Sequence, residues 1–105
     1  MSRKVRLTKT AEIQLANLLK HLEQKWSQKA KLSFVKKLDK RIDKVKLNPN
    51  LFPRSFIKKG LHKCVVTKQT TFYYIHDQNT ITVLTIFDSR QNPEKTKSQI
   101  EGDES

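Results

Sequence analysis

The sequence predicts a two-layer α+β domain in the order β-α-α-β-β-β, with an N-terminal helical hairpin packed on an antiparallel sheet. Residues 4–8 alternate polar and apolar, two segments with helical apolar spacing follow, and three runs rich in β-branched and aromatic residues come last. One-sided helices and a one-sided sheet bury each other's apolar faces. The 105 residues suffice for one such domain and are too few for two.

The first strand is expected at residues 3–8, where Val5 and Leu7 alternate with polar side chains. Thr8 or Thr10 is suited to begin the first helix, because a threonine hydroxyl accepts a hydrogen bond from a free backbone N–H there. Apolar residues then recur at intervals of three and four, which is typical of a helix with one buried face. The predicted stripe consists of Ala11, Leu15, Leu18, Leu19, Leu22 and Trp26.

A second helix is expected to begin after Ser27, another residue suited to cap a helix start. It should end near Leu47, because Pro49 disfavours helical geometry at Asn48. Lysines and arginines occupy most of the positions outside its apolar stripe. That stripe consists of Phe34, Val35, Leu38, Ile42 and Val45.

A loop over residues 48–60 contains two prolines and ends in glycine, both of which interrupt regular structure. Three β-rich runs follow, at residues 61–67, 70–76 and 80–87. The joints between them are short enough for hairpins, and the second joint, Asp77-Gln78-Asn79, has good turn chemistry. The first strand is expected to pair beside one of these three.

The charge is strongly and unevenly positive. Residues 1–92 carry 20 basic and 6 acidic side chains, a net charge of +14, whereas residues 93–105 carry 2 and 4, a net charge of −2. A positive body attracts polyanions such as nucleic acid, an acidic protein or an anionic membrane surface, without selecting among them. We therefore expect a domain over residues 1–93 and an acidic, flexible tail over residues 94–105.

Cysteine usage and hydropathy indicate the compartment. Cys64 is the single cysteine, so no intrachain disulfide is expected. No apolar run approaches the roughly 20 residues that a membrane span needs, and the basic N-terminus is not followed by a signal-peptide segment. The expectation is a cytoplasmic protein without a membrane partner.

Metal and cofactor motifs are weak in this sequence. His62 and Cys64 lie two residues apart, which supplies too few ligands for a metal site. The two glycines, Gly60 and Gly102, cannot form a phosphate-binding glycine loop. The pair Asp39 and Asp43, interleaved with lysines, is typical of a solvated helix face. We therefore predict no metal and no cofactor, and a buried, inert Cys64.

Basic and aromatic residues remain as candidates for a site. Antiparallel neighbours can bring them onto one sheet face, where cations bind phosphate and aromatic rings stack on bases. Of Tyr73 and Tyr74, one must face the helices, because adjacent strand residues point to opposite faces. Arg90 follows the last strand and can grip phosphate or carboxylate with two hydrogen bonds, or form a salt bridge with Asp88 or a helix C-terminus. The candidates are Arg54, Lys58, Lys59, His62, Lys63, Tyr73, Tyr74 and Arg90.

These features together resemble the RelE/ParE superfamily of bacterial toxins over residues 3–93. The C-terminal sequence motifs are the specific part of the resemblance, whereas the helices have patterns that many protein families share. The residues that carry it are Leu7-Thr8-Lys9-Thr10-Ala11-Glu12, Gly60-Leu61-His62-Lys63, Phe72-Tyr73-Tyr74-Ile75 and the stretch from Ile81 through Phe87-Asp88-Ser89-Arg90-Gln91-Asn92-Pro93.

The resemblance implies the toxin of a type II toxin-antitoxin pair, held inactive by an acidic antitoxin. RelE-like members cut ribosome-bound messenger RNA without metal, and ParE-like members poison DNA gyrase. An arginine of the RelE-like pattern is missing near Thr71, so a nuclease here would have to use Arg90, Lys63, His62 and Tyr74 in a rearranged way. The Arg-Gln-Asn-Pro ending at residues 90–93 is more similar to the ParE-like side.

Three functions are therefore expected in order of preference. The first is a toxin with a binding mode of action, such as gyrase poisoning. The second is a metal-independent, ribosome-dependent messenger-RNA endonuclease. The third is a basic nucleic-acid-binding domain without toxicity. In the first, the residues predicted to contact the target are Arg54, Lys58, Lys59, Lys63 and Arg90.

Overall fold

The computed structural model describes residues 3–50 and 60–89. Its elements confirm the predicted order and type. They are β1 (Lys4–Leu7), α1 (Lys9–Lys25), α2 (Gln28–Leu47), β2 (His62–Val65), β3 (Thr70–His76) and β4 (Thr80–Asp88). The four strands form one sheet in the order β1-β4-β3-β2. Both helices contribute to the apolar core on one face of that sheet, which gives the two-layer arrangement.

The sheet departs from the prediction in one respect, since it is mixed rather than antiparallel. β2, β3 and β4 pair antiparallel, but β1 pairs parallel with β4, with Val5 opposite Ile81 and Leu7 opposite Val83. The cause lies in where α2 ends. An Arg3 side-chain nitrogen donates to the Lys46 carbonyl at 3.4 Å, so α2 finishes beside the start of β1. β2 lies at the opposite edge of the sheet from β1 and runs in the same direction, so both strands begin at the same end of the sheet.

Both predicted helix caps are confirmed. The Thr8 hydroxyl accepts the Ala11 N–H at 3.1 Å and donates to the Leu84 carbonyl at 2.7 Å, which joins the start of α1 to β4. The Ser27 hydroxyl accepts the Ala30 N–H at 3.0 Å at the start of α2. Each cap satisfies a backbone donor that has no partner within its helix.

The main core lies between the helices and the sheet and contains most of the predicted stripe residues. Val35 is half-buried and does not belong to this core, and the Trp26 side chain is 65% exposed. The prediction for Trp26 was wrong because α1 ends at Lys25, and Trp26 is the residue after the last helical turn. The buried core residues are Ala11, Leu18, Leu22, Phe34, Leu38, Val45, Cys64, Val66, Phe72, Tyr74, Ile81, Val83 and Ile86.

A bulge in β4 meets the first helix. Tyr73 pairs with Thr85 and Tyr74 pairs with Val83, so Leu84 is an extra residue on β4. The Gln14 side-chain oxygen accepts the Thr85 hydroxyl at 3.0 Å and the Ile86 N–H at 2.8 Å, and so bonds a backbone donor beside the bulge. The bulge is thus a fixed feature that holds α1 to the sheet.

The two connections between the last three strands differ, as predicted, in how well their residues suit a turn. Both Asn79 N–H and Thr80 N–H donate to Asp77 Oδ1 at 2.8 Å, which confirms the expected turn chemistry. The other connection is longer than the predicted two residues, because β2 ends at Val65. There the Thr67 hydroxyl accepts the N–H groups of Gln69 and Thr70 at 3.2 and 3.1 Å.

The boundary predicted between a domain over residues 1–93 and a tail over residues 94–105 lies outside the described residues and stays a prediction. Within residues 3–50 and 60–89, neither helix has the length and apolar character that crossing a membrane requires.

Candidate functional site

Four of the candidate residues lie in the described part of the chain, on β2 and β3. These are His62, Lys63, Tyr73 and Tyr74. The other predicted site residues lie outside the described residues: Arg54, Lys58, Lys59 and Arg90.

Tyr74 faces the helices and is fully buried, at 0% exposure. Its hydroxyl donates to the Pro49 carbonyl at 2.7 Å, which ties the end of α2 to the sheet. Burial, together with the nearby Cys64, raises the pKa of the Tyr74 hydroxyl well above its ordinary value. A neutral, buried and hydrogen-bonded tyrosine stabilises the packing of α2 on the sheet.

His62 lies on the same inner side of the sheet and is 4% exposed. Its ring stacks on the Tyr74 ring with centroids 5.2 Å apart and contacts the His76 ring at the same distance. Burial, followed by the neighbouring His62 and Arg3 side chains, lowers the pKa of His76. These rings form a compact aromatic group at one end of the sheet rather than an open phosphate site.

Lys63 points to the opposite, outer face of the sheet, where it is exposed. It pairs with Tyr73 across β2 and β3. The Tyr73 ring packs edge-on against Phe87, with centroids 5.6 Å apart, in a small cluster with Leu61 and the half-buried Leu84. The outer face thus joins an aromatic cluster to an accessible cation.

Two further cations belong to this outer face, and the sequence reasoning did not single them out. Val5 and Leu7 pack against the inner core, so Lys4 and Arg6 must point outward from β1, and both are exposed. The alternation of polar and apolar residues over positions 4–8 already indicated this orientation. We define the outer sheet face by Lys4, Arg6, Lys63, Val65, Tyr73 and Ile75.

Hydrogen bonds hold the end of β4, directly before Arg90 in the sequence. The Asp88 carboxylate is 4% exposed and accepts the Thr70 hydroxyl at 2.6 Å. The Ser89 N–H donates to the Gln69 carbonyl at 2.8 Å. These contacts join the end of β4 to the β2–β3 connection and to the start of β3.

Cys64 is buried, as predicted, and carries no sign of reactivity. It is 0% exposed, and burial raises its pKa to about 11 even though Arg41 acts in the opposite direction. Among residues 3–50 and 60–89, no three histidine, cysteine or carboxylate side chains gather as metal ligands would.

A groove between α2 and the β2–β3 connection is the feature that sequence reasoning missed. It consists of two cavities of about 210 and about 270 Å³ that share Lys37. The signal in the sequence was the recurrence of Ala30, Ser33, Lys37, Lys40 and Lys44 at intervals of three and four. We call it the α2 groove; its residues are Leu22, Trp26, Ala30, Ser33, Phe34, Lys37, Lys40, Arg41, Lys44, Val66, Thr67 and Gln69.

Comparison with protein families gives one match, over residues 5–93, to the family described as the ParE toxin of the type II toxin-antitoxin system, parDE. No curated protein matches the sequence.

Solved structures share the fold at low sequence identity. A chain of the chromosomal ParDE system from P. aeruginosa has a TM-score of 0.69 and 13% identity, over 83% of this chain and 96% of that one. The YoeB dimer from Staphylococcus aureus gives 0.58 and 16%, over 83% and 97%. The E. coli DinJ-YafQ toxin-antitoxin complex gives 0.58 and 10%, over 88% and 98%. At these identities the likeness shows the fold alone.

Proposed function

The chain belongs to the ParE toxin family of type II toxin-antitoxin systems, and from this premise we propose that it inhibits growth by binding its target, DNA gyrase, rather than by cutting RNA. The proposed setting is the cytoplasm, where gyrase acts on DNA. The proposed contact surface is the outer sheet face, extended by the predicted residues Arg54, Lys58, Lys59 and Arg90.

One observation carries the preference for binding over catalysis. His62 and Tyr74 lie on the inner side of the sheet, buried against the core, whereas Lys63 lies on the outer side. Residues that act on one phosphodiester must converge within hydrogen-bond reach of it. The sheet itself lies between the Lys63 side chain and those of His62 and Tyr74, so these three side chains cannot converge on one phosphate while the sheet is folded.

The charge distribution supports a large, polyanion-bearing target. Lys4, Arg6 and Lys63 are exposed cations that share one face, and residues 1–92 carry a net charge of +14. Such a field speeds the encounter with an acidic protein surface or with protein-bound DNA. A complex of gyrase and DNA offers both.

The proposed restraining partner is an acidic antitoxin. Two of the similar structures are a ParDE toxin-antitoxin system and a DinJ-YafQ toxin-antitoxin complex. An acidic partner complements the basic body of this chain and lowers the repulsion among its cations.

The direct test is a cleavage-complex assay with purified gyrase, supercoiled plasmid and ATP. We expect the protein to increase the amount of linear DNA released after detergent and protease treatment. Lys63→Glu should lower that yield about tenfold, because it reverses a charge on the proposed contact surface. Lys29→Glu, an exposed lysine at the start of α2, is the matched control and should behave as the unaltered protein does.

The same preparation is then added to translating ribosomes with a chelator present. Intact messenger RNA together with trapped gyrase supports the proposal. Messenger-RNA cleavage without trapped gyrase would contradict it and favour the endonuclease. In that event Arg90→Ala should lower the cleavage rate about 100-fold, as loss of a group that stabilises transition-state charge does.

A further inference from the structure

We propose that an acidic segment of the chain itself, Ile100-Glu101-Gly102-Asp103-Glu104, docks in the α2 groove as an intramolecular ligand. In this arrangement Ile100 fills the apolar end of the groove, and the three carboxylates lie along its cations. The inference goes beyond the proposed function and does not depend on it, because it concerns contacts within one chain.

The chain leaves the sheet beside the groove. The Ser89 N–H donates to the Gln69 carbonyl at 2.8 Å, and Gln69 lines the apolar cavity. Residues 90–99 separate Ser89 from Ile100, and an extended chain of that length spans up to about 35 Å. The 20 residues of α2 make a helix about 30 Å long. The acidic segment can therefore reach every part of the groove.

The attachment also makes a weak contact sufficient. A short linker holds the group at its end at an effective concentration in the millimolar range around the point of attachment. That point, Ser89, is bonded to a residue of the groove wall. A segment with only millimolar affinity for the groove would therefore be bound for much of the time, although the same segment in free solution would bind poorly.

The charged end of the groove complements the carboxylates. Its cavity of about 270 Å³ is lined by Val66 and by four cations, Lys37, Lys40, Arg41 and Lys44. Four like charges around one small cavity repel each other, and an anionic occupant relieves that repulsion. Within the described part of the chain, no carboxylate lines either cavity. Residues 101–104 supply three carboxylates and no cation.

The lengths of the two partners match. The seven helical steps from Lys37 to Lys44 cover about 10 Å. Residues 101–104 in extended form cover about the same length, roughly 10–13 Å. Each carboxylate can therefore lie near a cation of the row, which is the charge complementarity that fixes the register of a contact.

The other end of the groove is suited to Ile100. Leu22 and Phe34, which are 2% and 4% exposed, form its floor, and Trp26, which is 65% exposed, forms part of its rim. Ile100 is the single apolar side chain among residues 94–105. Covering the Trp26 ring and the apolar floor with this side chain removes apolar surface from water, which is favourable.

The order of features along the segment also matches the order along the groove. The apolar cavity lies at the end where the chain leaves the sheet, and Lys37 joins it to the cation-lined cavity. Ile100 comes first in the segment and the carboxylates follow. The docked segment neutralises part of the positive field on this side of the body, so an external polyanion must displace it to reach these cations.

The test uses the fluorescence of Trp26, the single tryptophan of the chain, in the full-length protein. Acrylamide is a neutral quencher, so it measures access to the ring without responding to charge. Glu101→Lys combined with Glu104→Lys should raise the quenching constant about twofold, because reversed charges release the segment and uncover the ring. Ile100→Ser should act in the same direction. The matched control, Glu94→Lys, reverses a charge outside the docked segment and should leave quenching unchanged.

A charge exchange tests whether the groove and the segment contact each other directly. Lys40→Glu combined with Lys44→Glu should also uncover Trp26; both lysines are exposed, so this variant should fold. Combining these two reversals with Glu101→Lys and Glu104→Lys restores opposite charges and should return quenching to that of the unaltered protein. Circular dichroism checks that every variant is folded.

Each outcome decides for or against the proposal. Stronger quenching in both pairs of reversals, with restoration in the combined variant, supports it. Equal quenching in all variants overturns it. Protection of Trp26 that increases with protein concentration would show docking on a second copy, and the intramolecular proposal would be wrong. None of these measurements involves gyrase, so the proposed function stands or fails separately.

Discussion

Two neighbouring stripes of α2 differ in almost every physical respect. The inner stripe, Phe34, Leu38 and Val45, is 1–6% exposed and packs against the sheet. The groove stripe, Ala30, Ser33, Lys37, Lys40 and Lys44, lies beside it on the helix and places three lysines around open cavities, one of which Phe34 also lines. Since one step along a helix turns it by about 100°, a single helix carries both. The comparison teaches that the inner stripe serves stability and the groove stripe serves binding. Substitutions in one stripe should therefore change one property and leave the other unchanged.

The largest effect on stability is expected at Leu38. Leu38→Ala removes a side chain that is 6% exposed and should lower the free energy of unfolding by about 2–5 kcal/mol, the range for cavities in a packed core. Lys40→Ala, two residues on, should change it by less than about 0.5 kcal/mol. Guanidinium unfolding followed by circular dichroism measures both. Similar losses in the two variants would remove the distinction between the stripes.

Tyr74→Phe tests the hydrogen bond that ties the end of α2 to the sheet. It leaves the Pro49 carbonyl, in a buried setting, without the hydroxyl donor at 2.7 Å, and we expect a loss of about 1–3 kcal/mol. Tyr73→Phe is the matched change on the outer face and keeps the ring contact with Phe87. An equal effect of the two substitutions would contradict the role assigned to the Tyr74 hydroxyl.

A smaller loss, about 1 kcal/mol, is expected for Thr8→Ala, which removes the cap of α1 and its bond to the Leu84 carbonyl. Thr8→Ser retains a hydroxyl and should recover most of the loss. If serine fails to do so, the effect arises from the threonine methyl group and not from capping. The midpoint of thermal unfolding, measured for the unaltered protein and both variants, tests this prediction.

The smallest predicted effect is a dependence on pH at the aromatic group. Burial, His62 and Arg3 lower the pKa of His76 in the folded protein, while its contact with Asp77 acts the other way. The unfolded chain therefore takes up a proton more readily as the pH falls below about 6.5. The stability that neutral His76 contributes is fully present above that pH and is lost as the pH falls toward the folded pKa.

His76→Gln provides the comparison for this dependence. Unfolding midpoints measured across this pH range should decline more steeply for the unaltered protein than for the variant. Parallel declines would show that His76 does not contribute. Asp77 acts in a lower range, because two backbone N–H groups lower the pKa of its carboxyl group from 3.8.

Most of the fold could be predicted from the sequence, because its local indications of helix starts, helix ends and strand faces agree with one another. Thr8 and Ser27 marked the helix starts, Pro49 marked the end of α2, and alternation placed Tyr73 and Tyr74 on opposite faces. The parallel pairing of β1 could not be read in this way, because it depends on where α2 ends in space.

The candidate site was less predictable than the fold. Lys63 and His62 are neighbours in the chain, yet the sheet places them on opposite faces, so their proximity in sequence was misleading as evidence for a common site. The segment from Val66 to Gln69 forms the second wall of the α2 groove. The sequence of α2 alone does not indicate that this segment lies opposite it. The exposure of Trp26 was equally hard to predict, because it depends on α1 ending at Lys25.

The most direct test measures two quantities on one sample of the double variant Lys40→Glu with Lys44→Glu. These are its free energy of unfolding and the acrylamide quenching of its Trp26 fluorescence. The account predicts quenching about twofold stronger than in the unaltered protein, with the free energy of unfolding unchanged within about 1 kcal/mol. Unchanged quenching, or a loss of stability as large as that of Leu38→Ala, would contradict the assignment of binding and stability to separate stripes of α2.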